Sequence, residues 1–435
     1  MESVLRYFQV RERGSTLARE VRGGCTTFFA MAYLVVVVPG ILAQTGMDTA
    51  ALMTAACLAA AFGSILMGLA ANLPFALAPG LGFPTVFTLT LCGRYGYTWQ
   101  QSLAVLFLAG LLFLLLSLTS LRERITDALP MPFKFALSAG IGLLLTLSGL
   151  INAGVVTAEG NLLDMGSVTS PGPLLALLGI FVTAALLLRS VPGALMLGMA
   201  LVVLLGIPFG VTVLPEHWLA APTLSPIFLR LDFAGLLSHG FFPLAASLLS
   251  FTLCDCFDTV GTLLGVGGDA KLTDSTGDLP GQKRAMVCDA ASTCVGALLG
   301  VTTVTAMAES ATGIREGART GLASVVTGLL FLCAMPLAPL AGSISGAAAA
   351  APLVMVGMAM MSGITQIHWK HVEVSLPCFL MIVGMPFTFS ITTGIALGVV
   401  SYAVIMICRR RAHLVDPVLY ALAAVFTFLL ALGAL

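Results

Sequence analysis

Charge is what this chain lacks. Only 9% of its 435 residues are Asp, Glu, Lys or Arg, 58% are hydrophobic, and the mean hydropathy is +1.04. A soluble protein of that length needs a far more polar surface, so the composition implies a polytopic membrane protein. The apolar segments lack the alternation of barrel strands and are rich in Gly and Leu, which makes the spans helical. Histidine is scarce, with five in all, and His239, His368 and His371 fall at span ends, where they read as interfacial. The ten cysteines form no CxxC and no Cys/His cluster, and the close pair Cys254 and Cys256 has the wrong spacing for a metal. They read as buried thiols, with no metal and no other cofactor implied. No HExxH, no GxGD with an aspartate partner and no Ser/His pair at depth is present, which argues against an intramembrane enzyme. "GVGGD" (265–269) has no nucleotide fingerprint around it, and no nucleic-acid partner is expected.

What is present is a long series of apolar runs. Hydropathy predicts fourteen spans between residues 25 and 408, with a further apolar stretch at 417–435 that either crosses the membrane or lies along it. The first 24 residues are charged and precede any apolar run, so they read as a cytosolic segment and not as a signal peptide. With the N-terminus inside, Arg122, Arg124, Lys134, Arg189, Lys271, Arg315, Lys370 and Arg409 to Arg411 fall on the cytosolic side. Of the 20 Lys and Arg, only Arg94 and Arg230 fall outside. Losing one span in the middle would scramble that bias, so it supports the count.

The two halves resemble each other. "ACLAAAFGSILMGLAANLPFALAPGLG" (56–82) lies over "VCDAASTCVGALLGVTTVTAMAESATG" (287–313), with Cys57 on Cys288, Gly63 on Gly296 and Ala76-Leu77-Ala78 on Ala306-Met307-Ala308. A repeat of seven spans, an odd number, must be inverted in its second copy, which is the design of secondary transporters. Two predicted spans, 76–92 and 303–314, are interrupted: "ALAPGLGFP" carries Pro79, Gly80, Gly82 and Pro84, and "AMAESATGI" is short, small and polar. Broken backbone at depth is tolerated only where it lines a cavity or packs in protein, and half-helix N-termini there would offer N–H donors to a ligand.

The acidic residues at depth sharpen this. Glu309 lies on the second interrupted segment, and an intramembrane carboxylate is a functional candidate by default. In "SFTLCDCFDTVGTLLG" (250–265), Asp255 and Asp258 are three residues apart on one helix face, with Thr262 a turn beyond Asp258. Asp255 reads as a partner for backbone freed by a neighbouring broken helix. Asp258 and Glu309, facing the broken helices, suit an uncharged ligand rich in N–H donors. A carboxyl group withdrawn from water holds its proton more readily, so Asp258, Glu309 or Asp255 is also a candidate to couple proton movement to substrate.

At these residues the chain resembles a known family: the AzgA-like adenine/guanine/hypoxanthine permeases of the nucleobase–ascorbate transporter (NCS2) family. "FDTVGTLLGV" (257–266), "ESATGIREGARTGLASVVTGLLF" (309–331), "MPFTFSITTGIALGVVSY" (385–402), "GCTTFFAMAYLVVVVPGILAQTGMD" (24–48) and "LAPGLG" (77–82) carry the likeness. The resemblance implies an all-α membrane fold of about fourteen helices in two inverted seven-helix repeats, with short broken helices 3 and 10. The first repeat would occupy 25–210, a connection on the far side of the membrane 211–240, the second repeat 241–408, and a basic anchor with a C-terminal apolar segment 409–435. A core of spans 1–4 and 8–11 would carry the substrate past a gate of spans 5–7 and 12–14.

The same likeness implies a proton-coupled purine importer, a multi-pass protein of the bacterial inner membrane, and a homodimer in the bilayer. Asp258 and Glu309 match the family's substrate carboxylates and Thr262 a nearby polar position. Strands at about 76–79 and 305–308 would bring the backbone of Ala78, Pro79, Gly80, Ala308 and Ser310 to the ligand, with Phe29 on the first span. Departures stand beside these matches: Pro84 replaces an asparagine of the family pattern, and Ala30 and Val38 replace polar residues of the first span. Guanine, hypoxanthine, adenine and xanthine all remain open as the purine. So do a same-fold transporter of uracil or an anion, and a sensor that transports nothing.

Overall fold

The computed structural model describes residues 2–119, 130–159, 162–189, 191, 193–215, 217–269, 272 and 279–431. Arg122, Arg124 and Lys271 of the charge tally, and the last four residues of the 417–435 stretch, lie outside the described residues.

A short helix α1 (Glu2–Tyr7) precedes α2 (Leu17–Met31), α3 (Leu34–Leu42) and α4 (Thr49–Leu66). A strand β1 (Leu77–Pro79) and a short helix α5 (Gly82–Val86) follow, then α6 (Trp99–Leu118), α7 (Met131–Asn152), the hairpin β2 (Val156–Glu159) and β3 (Leu162–Met165), α8 (Pro171–Leu188) and α9 (Ala194–Gly206). The second half runs through α10 (Phe241–Asp269), α11 (Gln282–Leu299), β4 (Val304–Ala306), α12 (Ser310–Arg315), α13 (Gly321–Ala334), α14 (Gly346–Met360), α15 (Val372–Thr388), α16 (Ile391–Cys408) and α17 (Pro417–Ala431). Among the described residues nine helices are long and apolar enough to cross a membrane. Ala194–Gly206, Val372–Thr388 and Pro417–Ala431 are shorter apolar helices beside them.

Three departures from the expected layout have local causes. The first span begins at Leu17 and not at Cys25, because Thr16 caps it: its hydroxyl accepts the Arg19 N–H at 3.3 Å. Beside the expected strands β1 and β4, which pair antiparallel, a second antiparallel pair β2–β3 was not anticipated. The second strand expected near 305–308 is Val304–Ala306, so Ala308 lies in the turn that follows it. The described part of α17 rises only about 22 Å at 1.5 Å per residue, short of the roughly 30 Å hydrocarbon core.

The helices fall into two packed groups. One holds α2 to α6 with α10 to α13; the other holds α7 to α9 with α14 to α16. Contacts inside each rest on small residues, as expected where no hydrophobic drive holds helices together in lipid. A Cβ built at Gly23 on α2 would lie 2.8 Å from the Gly313 carbonyl oxygen on α12, so these two backbones touch only because both residues are glycine. In the second group, a Cβ at Gly142 on α7 would lie 3.3 Å from the Gly357 carbonyl carbon on α14.

Candidate functional site

The centre of the first group is a two-stranded ribbon, with Leu77 opposite Ala306, Ala78 opposite Thr305 and Pro79 opposite Val304. The ladder continues at both ends, through Met307 N–H to Ala76 O at 3.0 Å and Gly80 N–H to Thr303 O at 3.4 Å. Alternate residues of each strand direct their N–H away from the partner. In lipid-excluded protein, every one of those donors needs an acceptor. Leu77 N–H goes to Ser64 Oγ on α4 at 2.9 Å, and that hydroxyl donates back to Leu77 O at 2.9 Å. Val304 N–H goes to Thr293 Oγ1 at 3.2 Å and Ala306 N–H to Asp289 Oδ1 at 3.0 Å, both on α11. Pro79 occupies the remaining outward position and has no N–H to satisfy, which is why proline is tolerated inside this strand. Ala76 N–H goes to Ser310 Oγ at 3.0 Å, tying the ribbon to the first residue of α12.

Side chains of Ala78 and Thr305, being register partners, stand on one face of the ribbon. Leu77 and Val304 stand on the other, close enough to α4 that a Cβ at Gly63 would lie 2.9 and 3.2 Å from them. On the Ala78 face, Thr305 Oγ1 donates to Asp258 Oδ2 at 3.4 Å. Beyond the ribbon's end, Tyr33 donates its hydroxyl to Glu309 Oε1 at 2.6 Å. The ribbon thus organises both carboxylates anticipated from sequence. Asp258, Thr262 and Glu309 are half-buried and Ala308 is exposed, whereas Ala78, Pro79, Gly80, Thr305, Ser310 and Tyr33 are buried. The carboxylates stand over a closed floor at an opening. Phe29, a turn before Tyr33 on α2, is 54% exposed, and its ring meets Phe28 edge to face at 5.5 Å.

Asp255 does not join that opening. It is buried, and its Oδ2 accepts from the Thr293 hydroxyl at 3.0 Å, the same hydroxyl that accepts from Val304. It therefore reaches the broken backbone through Thr293. Two residues of the arrangement are absent from the sequence expectations. Asp289 is fully buried and holds β4 directly; the signal available was an aspartate in the small-residue helix "MVCDAAST". Tyr33 lies inside a quoted motif, yet its partner is 276 residues away. Pro84 lies in α5 and is buried there.

The second group of helices packs against this one beside the ribbon. A Cβ at Gly82 would lie 3.0 Å from Ile141 Cγ2 on α7, and Thr90 donates to Phe389 O at 2.6 Å, between α15 and α16. A separate small cavity is walled by Phe133, Lys134, Leu253, Phe257 and Phe426 among others, and contains neither carboxylate. Among the described residues no group of three His, Cys, Asp or Glu side chains is arranged to hold a metal.

With this geometry in place, the comparisons with known proteins are informative. The Permease family model, Xan_ur_permease, matches residues 18–397. The adenine permease AdeP of Escherichia coli (strain K12) is 40% identical over 422 residues, covering 97% of this chain and 94% of that protein. The guanine/hypoxanthine permease PbuO of Bacillus subtilis (strain 168) is 36% identical over 429 residues, covering 96% and 98%. Among solved structures, the transmembrane domain of a cyanobacterium bicarbonate transporter, BicA, matches with a TM-score of 0.65 over 88% of this chain and 97% of that one. At 15% identity that likeness concerns the fold alone. The chain is a multi-pass membrane transporter, not an enzyme, and belongs to the Xan_ur_permease family, the nucleobase–ascorbate transporter (NCS2) family whose motifs it carries.

Proposed function

We propose that this protein imports a purine nucleobase across the bacterial inner membrane, coupled to protons. The observation that carries the reading is the pair Asp258 and Glu309, both half-buried beside the ribbon. A purine offers N–H donors on both its rings, and each carboxylate accepts them. The buried backbone of Ala78, Pro79 and Gly80 forms the floor against which a flat heterocycle rests, with Ala308, Ser310, Thr262 and Phe29 around it. The names of AdeP and PbuO support the substrate class. An anion is disfavoured, because two carboxylates at the opening would repel it.

In this reading the group built on the ribbon is the core (spans 1–4 and 8–11), and the other is the gate (spans 5–7 and 12–14). The two repeats, 25–210 and 241–408, are inverted copies, and the N-terminus is cytosolic. The core moves as a body past the gate, because packed interfaces offer discrete arrangements and not a continuum. Protonation of Asp258 or Glu309 on the side of higher proton concentration, and its loss on the other, would link the ion to the purine. A homodimer would hold the gates fixed in the bilayer.

The test is uptake of radiolabelled hypoxanthine, guanine and adenine into proteoliposomes with an inside-alkaline pH gradient. Accumulation of at least one purine that collapses with a protonophore is expected. No uptake of any purine by folded, reconstituted protein would overturn the reading, and uptake indifferent to the gradient would overturn the coupling.

A further inference from the structure

Glu309 is held by a residue that neither its own helix nor the ribbon supplies. Tyr33 lies between α2 and α3 within one continuous span, in right-handed helical backbone with φ −62° and ψ −27°. Its side chain is fully buried, and its hydroxyl donates to Glu309 Oε1 at 2.6 Å. An O–H donor to a carboxylate at that separation is among the stronger hydrogen bonds proteins make. Glu309 itself sits where α12 begins, with the side chain only half-buried, so without a partner it has rotamers that swing it into the opening.

The same two elements meet again lower down. The Gly23 and Gly313 backbones are in contact, and Thr327 Oγ1 of α13 donates to Gly24 O on α2 at 2.9 Å. Tyr33 is thus fixed at the upper end of a rigid seam between the first span and the segment carrying Glu309. A buried tyrosine hydroxyl needs a partner, and Tyr33 spends its hydroxyl on the one acidic side chain that faces the opening from α12.

We infer that Tyr33 is a positioning residue of the ligand site, whose hydroxyl fixes the Glu309 carboxylate so that its other oxygen faces the substrate. This rests on the reading of Glu309 as a ligand carboxylate.

The experiment measures equilibrium binding of radiolabelled hypoxanthine, guanine and adenine to the purified full-length protein and to Tyr33→Phe, together with the ligand-free melting temperature. Tyr33→Phe keeps the ring and removes only the donor. It should weaken binding roughly two- to tenfold, the cost of ordering a freed Glu309 side chain each time the ligand binds, while the number of sites per protein holds and the ligand-free melting temperature falls only modestly. In uptake assays KM should rise with the maximal rate preserved. Unchanged affinity would overturn the inference, as would fewer sites of wild-type affinity, which would mean that the hydroxyl serves folding alone. Failure of the wild type to bind any purine would overturn the ligand reading, and the inference with it.

A second measurement needs no Tyr33 variant. A tyrosine donating to a carboxylate absorbs to the red of one donating to an amide, so the near-ultraviolet difference spectrum between wild type and Glu309→Gln should show the shift of one of the six tyrosines. Superimposable spectra would overturn the inference.

Discussion

Asp289 Oδ1 accepts the backbone N–H of Ala306 at 3.0 Å, so a fully buried carboxylate on α11 holds the last residue of β4. Asp289→Ala leaves that N–H without an acceptor inside the protein. The thermal unfolding midpoint should fall by the equivalent of about 1–3 kcal/mol, the cost of an orphaned buried donor. Asp289→Asn keeps a carbonyl acceptor and should retain most of the stability. Equal losses in the two variants would mean that the acceptor is not what matters.

Thr305 donates to Asp258 at 3.4 Å from the Ala78 face of the ribbon. Thr305→Val preserves shape and removes the donor. Purine affinity should fall roughly fivefold, in keeping with a single hydrogen bond, with little change in ligand-free stability. Thr305→Ser should restore it. Isothermal titration against the purine that the wild type binds checks both variants.

The contact of Gly23 with Gly313 seats α12 on α2. Gly313→Val forces these backbones apart, at a cost of about 1–3 kcal/mol typical of overpacking. Because Glu309 begins α12, purine binding should be lost even where the protein still inserts and purifies as a monodisperse species. Retained affinity in that variant would show that Glu309 tolerates displacement.

Glu20 is fully buried and caps a helix from a distance: its two carboxylate oxygens accept the N–H groups of Arg319 and Thr320 at 2.9 and 3.3 Å, where α13 begins. Negative charge at a helix N-terminus is favourable, and a lost cap costs about 0.5–2 kcal/mol. Glu20→Ala should lower the thermal midpoint and open the 316–320 loop to protease, and Glu20→Gln should do so less. Asn72 reinforces the same point by accepting Gly321 N–H at 2.8 Å through Oδ1.

Much of this was legible in the sequence because lipid imposes simple rules. Apolar runs pointed to a helical membrane protein; Pro79, Gly80 and the polar "AESATG" marked the two places where helix could not continue; the rarity of acids at depth picked out Asp255, Asp258 and Glu309 as candidates. The second strand, expected near 305–308, is Val304–Ala306, because the small residues of this stretch do not mark where strand gives way to turn. Asp289 escaped notice because Lys283 and Arg284 on the same helix make it resemble a cytosolic end. Tyr33 escaped because its ring is at home in an apolar helix and only the fold reveals what its hydroxyl touches. The β2–β3 hairpin lies in a stretch too short and mixed to signal strand.

The most direct test is thermal stabilisation of the purified protein by guanine, hypoxanthine, adenine, xanthine, uracil, ascorbate and sulfate, with Asp258→Asn and Glu309→Gln alongside. A ligand that binds only the folded state raises the melting temperature by mass action. One or more purines should stabilise the wild type and neither variant. Stabilisation by sulfate or by no nucleobase, or purine stabilisation that persists in both variants, would contradict the assignment of Asp258 and Glu309 as the carboxylates that hold the purine.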